Sequence, residues 1–297
     1  MASTRTIAFI GCGNMGSAIL GGILDATREE HKAGGKPTIS RFIVSTKSAA
    51  SAERLQSTFE ADKDRLVVGY GQNLRACKGA GIIMLACKPF LAAEILSEKG
   101  ISQALEGKLV ISIMAGKNPT EIHKFIYPFG RPSNSFFDGD FKAPIIVRAM
   151  PNVAARIRQS LTIIEENPDL PEHLSETVTW MFSQIGTVKY LPSDLFDAGG
   201  HLAGASMAIF TVPLDGILDG CVAEGIRRAE ALEMAAQVLT GMAGLLREGD
   251  HPALMRESIS SPRGVTIQSL LTLERQGVRG AFADSMINGV KPLKGEK

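Results

Sequence analysis

TIAFIGCGNMGSAIL (6–20) is the stretch on which the fold turns. A short apolar run enters GCGNMG and leaves it as the start of a helix. In that order Gly11 permits a tight turn, Gly13 lets the backbone approach a pyrophosphate, and Gly16 lets helix and strand pack closely. Asn14 and Met15 sit where the first helical amides would face the anion. The glycine pattern alone is a weak signal. Placed between a strand and a helix, at the start of a βαβ pattern, it reads as a dinucleotide-binding loop.

Working outward, five further runs follow: 39–45, 65–70, 81–87, 109–114 and 145–150. They are apolar on both faces, as strands of a parallel sheet covered by helices are. TVKYL (187–191) reads as a last strand. From 201 to 247 the chain reads as nearly continuous helix broken at Gly225, with shorter helices at 266–275 and 279–288. The expected fold is an α/β N-terminal Rossmann domain with a parallel-rich sheet (1–182), followed by an all-helical C-terminal dimerisation and substrate-binding domain (183–297). Ala203, Gly204, Ala205, Ser206 and Ala208 predict close helix packing, and an oligomer that buries it.

Composition excludes several classes. With 44% hydrophobic and 21% charged residues the chain is globular, not disordered. Lys and Arg number 32 against 31 Asp and Glu, so net charge draws it to neither nucleic acid nor membrane. Cys12, Cys77, Cys87 and Cys221 lack metal-ligand spacing and read as reduced thiols. No metal motif is seen. The opening MASTRTIAFIG has no secretory pattern, so a cytoplasmic protein is expected. The apolar segment 198–218 contains His201, Pro213 and Asp215 and reads as buried helix, not as a lipid span. The loop 127–144 carries Phe136, Phe137 and Phe141, either a contact patch or residues half-buried on the sheet.

The second strand ends IVSTKSAASAERL (43–55), without the acid that would hold a ribose diol. Ser45 and Lys47 suit a 2′-phosphate, so NADPH is expected ahead of NADH, which the loop still admits; Arg54 is a weaker second cation. Lys88 and Pro89 in LACKPF (85–90), and Asn152 in AMPN (149–152), fall where strand ends line a cofactor crevice. Lys88 reads equally as a surface residue, and Asn152 as a turn cap. Near the far end, SSPRGVTIQ (260–268) places Ser261, Arg263, Gly264, Val265 and Thr266 at a helix start, a seat for a small carboxylate or simply a capped helix. A cyclic imine, protonated in water, needs mainly alignment with a hydride donor, which fits the lack of an obvious acid–base pair.

In order, GCGNMGSAIL (11–20), ACKP (86–89), SIMAG (112–116), RAMPN (148–152), LDGILDGCVAEG (214–225) and HP…SPRGVTI (251–267) resemble the pyrroline-5-carboxylate reductase family over almost the whole chain. The related sugar-acid and hydroxyacid dehydrogenases share the N-terminal pattern, but their GxxxKxxxN helix is not found. The resemblance implies NADPH-dependent reduction of 1-pyrroline-5-carboxylate to proline by a homodimer, with rings of dimers as a further assembly. It implies that Ser261, Gly264, Val265 and Thr266 hold the carboxylate of a small cyclic imine, that Ser45 and Lys47 contact phosphate, and that Lys88 and Asn152 lie on the cofactor side.

The chain also departs from the family. Where the family reads DAVTALSGSGPAY, this chain has DAGGHLAGASMAIF (197–210), so a threonine becomes Gly200, serines become Ala203 and Ala205, and Gly-Pro becomes Ser206 and Met207. Arg263 replaces a glycine and Val265 a threonine. His201 arrives as the candidate proton donor, or as a core histidine bonded to a carbonyl. A different cyclic imine, or an NADPH-binding oligomer without turnover, are the alternatives these changes raise.

Overall fold

The computed structural model describes residues 6–130 and 142–295. Phe136, Phe137 and Phe141 lie outside the described residues. The chain divides into two compact units, Met1–Gly204 with Pro292–Lys297, and Ala205–Lys291.

In the first unit the strands are β1 (Thr6–Ile10), β2 (Arg41–Thr46), β3 (Leu66–Tyr70), β4 (Ile82–Leu85), β5 (Leu109–Ser112), β6 (Ile145–Met150), β7 (Ser160–Glu165) and β8 (Gly186–Leu191). Its helices are α1 (Asn14–Lys32), α2 (Ala49–Thr58), α3 (Asn73–Gly79), α4 (Ala92–Leu96), α5 (Ile101–Leu105), α6 (Pro119–Ile126), α7 (Glu172–Ser183) and α8 (Ser193–Gly204). The strands form one sheet in the order β3-β2-β1-β4-β5-β6-β7-β8. All neighbours are parallel except β6 and β7, which pair antiparallel only at Ala149↔Ile164 and Met150↔Ile163.

Burial explains why the early runs lack alternation. Ile7 and Phe9 of β1 face one core layer, with Ile19, Leu20 and Ile23 of α1. Ala8 and Ile10 face the other, with Ala76, Ile83, Leu85 and Ile101. Both faces of β1 are dry, so every position is apolar or small; each large side chain so buried contributes ~1.5–3 kcal/mol. At α6, Asn118 and Glu121 close a reciprocal capping box a few residues past β5, which fixes the start of the helix.

The boundary expected between 182 and 183 falls inside the first unit. β8 pairs with β7 over six positions, Ser160↔Gly186 to Glu165↔Leu191, and α8 packs on these strands through Phe196 and Ala203 against Ile163. A Cβ on Gly199 would collide with Leu191 Cδ1, so the helix lies close on the sheet. The first unit therefore extends to Gly204. β7 was not anticipated; it follows a turn in which Arg158 adopts φ +60°.

The second unit contains α9 (Ser206–Ala223), α10 (Arg228–Arg247), α11 (Pro252–Ile259), α12 (Val265–Arg275) and α13 (Val278–Val290). Gly225, at φ +92°, does break the helical run, and a second break falls at Ala205. Arg228 pairs with Asp215 and Asp219, tying the start of α10 to α9. Ser206, Leu218 and Ala231 are its buried residues among those described, while Phe210, Val212, Ile217, Val238 and Leu254 stand exposed. The segment Ser193–Ala223 is long and apolar enough to cross a membrane by length and composition. Contrary to the sequence expectation, most of its apolar stretch is not buried within this chain. An apolar surface of this extent marks an interaction face.

Candidate active site

The glycine loop does what its three glycines suggest. Gly11 has φ +76°, and its N–H donates to the Ser45 carbonyl at 2.8 Å. A Cβ there would lie 2.8 Å from Cys87 Cα, 2.9 Å from Cys87 N and 3.0 Å from the Ala86 carbonyl oxygen, so β1 and the exit of β4 meet backbone to backbone. Gly13 is the N-cap of α1, with open space around its missing side chain. No side chain caps this helix and no acid lies in its first turn, which leaves the amides of Asn14, Met15 and Gly16 facing that space. A Cβ on Gly16 would touch Ala86 Cβ at 3.2 Å and Cys12 Sγ at 3.3 Å. Open space at Gly13 beside uncapped amides fits a pyrophosphate.

The end of β2 corrects one expectation. Ser45 is 1% exposed; its hydroxyl donates to Asn73 Oδ1 at 2.8 Å and accepts from the Gln72 N–H at 3.1 Å. It is a strut between β2 and the start of α3, already satisfied, and does not present itself to a phosphate. Thr46 is likewise turned inward, onto the carbonyls of Ser48 and Gly69. Lys47 is exposed and has no ion pair among the described residues. Arg54, on α2, reaches the Cys12 carbonyl of the glycine loop at 3.3 Å, so a second cation does stand beside the loop.

Lys88 is exposed at the exit of β4, and Pro89 begins the single 3-10 turn that follows, as its fixed φ suits. Cys87 Sγ contacts Met114 Sδ at 3.5 Å, joining the ends of β4 and β5. Burial pushes the Cys12 and Cys87 thiols up to about 11, so both are neutral at physiological pH. Asn152 is not free in the crevice. Its Oδ1 accepts from the Ala154 N–H at 3.1 Å, its Nδ2 donates to the Ala203 carbonyl at 2.9 Å, and its own N–H donates to Ser160 Oγ at 3.0 Å. The turn-cap role accounts for these bonds, and Asn152 also fastens α8.

His201 lies on α8, and its Nε2 is buried without a hydrogen-bond partner among the described residues. Also unanticipated is a polar cluster joining β6, β7 and α8. Arg148 of β6 is 5% exposed, donates to Asp197 at 2.7 Å and lies 3.8 Å from Glu165; Ser193 donates to the same Glu165. The signal was in the sequence, as an arginine in an otherwise apolar strand and an acid opening DAGG (197–200).

In the second unit, residues 261–264 form a turn closed by the Gly264 N–H and the Ser261 carbonyl at 3.0 Å. Pro262 takes its second position and Arg263, at φ +61°, its third, the pattern in which glycine is the usual third residue. A Cβ on Gly264 would collide with Ser261 Oγ. Gly264 is the N-cap of α12, without a side-chain cap bond, and no acid lies in the first turn. Ser261, Arg263 and Val265 are exposed there and Thr266 is half-buried.

A family model described as pyrroline-5-carboxylate reductase dimerisation matches residues 193–294, and one described as NADP oxidoreductase, coenzyme F420-dependent, matches 6–116. A pyrroline-5-carboxylate reductase of Lophium arboricola is 40% identical over 292 residues, covering 95% of this chain and 90% of that protein. One of Neurospora crassa is 37% identical over 305 residues with the same coverage. The crystal structure of Plasmodium falciparum pyrroline carboxylate reductase with NADP bound shares the fold, with a TM-score of 0.78 at 20% identity over 99% of each chain. Running nearly the whole length, through the glycine loop and the helical unit alike, these relatives make the chain a member of the pyrroline-5-carboxylate reductase family.

Proposed function

We infer that this chain reduces 1-pyrroline-5-carboxylate to proline. The observation that carries the inference is the 40% identity spread over 95% of the chain, joined to a glycine loop whose geometry fits a pyrophosphate. Bound at that loop, NADPH supplies the hydride. The amides of Asn14, Met15 and Gly16 hold the pyrophosphate, and Lys47 and Arg54 select the 2′-phosphate by charge. Lys88 faces the cofactor side. Ser45 and Asn152 act one step back, by shaping the loop and the end of β6.

The substrate carboxylate is assigned to the first turn of α12, where Val265 and Thr266 offer amides, Ser261 and Thr266 hydroxyls, and Arg263 a cation, while Gly264, its N–H spent on closing the turn, leaves the approach open as a bare N-cap. The imine nitrogen is protonated in water near neutral pH, so the protein chiefly orients the ring and excludes competing attack. His201 is the candidate for holding a proton at Nε2. Working as a homodimer is part of this reading, supported by the exposed apolar residues of α9 and α10 and by the dimerisation match. So is a cytoplasmic setting, supported by four free cysteines and testable by fractionation.

The test follows oxidation of the reduced nicotinamide by purified protein, with 1-pyrroline-5-carboxylate beside a six-membered cyclic imine carboxylate and a pyrroline lacking the carboxylate. Preference for the first is expected; inertness toward it would overturn the reading. Lys47→Ala should raise the KM for NADPH about 10-fold while leaving that for NADH within about 2-fold, since one charge-assisted contact is lost only for the phosphorylated cofactor. Light scattering should give twice the chain mass or an even multiple of it, and Val238→Glu should reduce it.

A further inference from the structure

One face of β6 reads along α8 residue by residue. Arg148 donates to Asp197 at 2.7 Å, with its guanidinium 4.1 Å over the Phe196 ring. Two positions on, Met150 fills the space beside Gly200, where a Cβ would meet its Cγ at 3.2 Å. Two further on, Asn152 donates to the Ala203 carbonyl at 2.9 Å. The chain advances by two, from β6 into the extended Asn152 just past its end, while the helix advances by three, so Arg148 and Met150 share one face of the strand and all three contacts fall on one face of α8. Both run in the same direction. The C-terminal end of α8, with His201, therefore arrives at the carboxyl edge of the sheet, where the glycine loop and the exit of β4 also lie.

The first rung is costly to build. Among the described residues Arg148 is the one buried lysine or arginine, and it is matched by Asp197, by Glu165 and by a ring face. A buried ion pair is a poor source of stability but a strong constraint on position. Ser193, at the start of α8, binds Glu165 of β7 and fixes the other end of the same helix.

We propose that Arg148, Met150 and Asn152 form a register device that sets the axial position and rotation of α8, making Arg148 a positioning residue for the reduction through the placement of His201. The proposal rests on the reading of the chain as an imine reductase. A helix held by apolar contacts alone slides among neighbouring packings. Rungs of different chemistry (ionic, steric and hydrogen-bonding) admit one register.

The test compares kcat, KM for the imine, Kd for NADPH and the melting temperature for Arg148→Lys, Gly200→Ala, Met150→Ala and the Gly200→Ala/Met150→Ala pair. Arg148→Lys keeps the charge but loses the fork and the ring contact. Arg148→Lys and Gly200→Ala should each lower kcat about 10-fold or more, with KM and Kd within about 3-fold, as expected when an interaction realised in the transition state is lost. The double variant should be more active than either of its singles, because the added methyl occupies the space that the shortened side chain vacates. Singles that lower the melting temperature but keep kcat would overturn the proposal, as would a pair without rescue. Should Arg148→Lys fail to fold, the steric pair decides alone, since it touches no charged group. A wild type inert toward the imine would overturn the functional reading and this inference with it; an active wild type with indifferent variants overturns this inference only.

Discussion

Gly11→Ala should weaken both the fold and NADPH binding, whereas Gly13→Ala should weaken binding alone. At Gly11 the backbone sits at φ +76°, which costs an L side chain ~1–2 kcal/mol. The new Cβ would press at 2.8–3.0 Å on the backbone of Cys87 and Ala86, which has no rotamer to yield. Overpacking of this kind adds ~1–3 kcal/mol. The sum, ~2–5 kcal/mol, corresponds to a fall in melting temperature on the order of 5–15 °C for a unit of this size. Gly13 differs. At φ −76° and ψ −160° alanine is at ease, and nothing lies within 4 Å of its Cβ. The change should stabilise the apo protein by ~0.4–1 kcal/mol through the unfolded chain. The methyl, however, enters the space assigned to the pyrophosphate. Losing one charge-assisted hydrogen bond costs ~1.5–3 kcal/mol, which raises Kd roughly 10- to 150-fold. The assay is thermal melting with and without NADPH, paired with a fluorescence titration for Kd. A Gly13→Ala protein that binds NADPH like the wild type would refute the placement of the pyrophosphate. A Gly11→Ala protein that melts like the wild type would refute the steric argument.

Arg263→Gly relieves a left-handed residue and should leave the stability unchanged or higher by at most about 1 kcal/mol, because glycine also loosens the unfolded chain. If the cation assists the substrate carboxylate, KM for the imine should rise about 10-fold with KM for NADPH unchanged; equal KM values would remove Arg263 from the site. Thr162→Val removes a fully buried hydroxyl without a partner among the described residues and should stabilise the protein by about 1 kcal/mol in a denaturant titration. Burial pushes the Cys77 thiol up to about 12 and those of Cys12 and Cys87 up to about 11, so the folded chain keeps protons that the unfolded chain releases from about pH 9. Stability should be full below that pH and fall as pH rises toward 11–12, by up to ~1.4 kcal/mol per unit per thiol. Lys108, pushed down by burial, acts in the opposite sense. Denaturant midpoints across the alkaline range should show a slope that Cys77→Ala flattens.

The parts of the fold that were legible are those a residue's own size and polarity dictate whatever its partner. Gly11, Gly13 and Gly16 announce a turn, an open face and a close approach because each constraint is written in the residue's own missing Cβ, whichever segment it meets; for Gly11 and Gly16 that segment is Ala86 and Cys87 at the exit of β4. The β1 run reads as doubly covered because both its faces meet core. What failed depended on partners distant in sequence. The Ser45 hydroxyl suits a phosphate on chemistry alone, but Asn73 and Gln72, at the start of α3, already satisfy it. Asn152 was placed correctly at the end of β6, and its amide is taken by Ala203, 51 residues on. The domain boundary slipped because β8 and α8 owe their place to β7, a strand that follows a non-glycine residue at positive φ and pairs with β6 at only two positions.

The departures from the family pattern can now be separated by where they fall. Gly200 and Ala203 lie on the face of α8 that packs on the sheet, one beside Met150 and the other 3% exposed next to Ile163 and Phe196. Losing a threonine and a serine there changes how α8 seats on β6, and Met150 takes up the space of the missing side chain. It does not strip hydroxyls from an open pocket. Arg263 and Val265 are different, since both are exposed at the start of α12 and Val265 is 85% so. Substitutions at a packed face are answered by repacking and leave substrate choice to whatever they position; substitutions at an open helix start leave their side chains free to meet a ligand there, as the proposed carboxylate seat requires. A change of ring size or of carboxylate affinity in this chain, relative to its family, should therefore trace to Arg263 and Val265, and a change in turnover at constant affinity to the seat of α8.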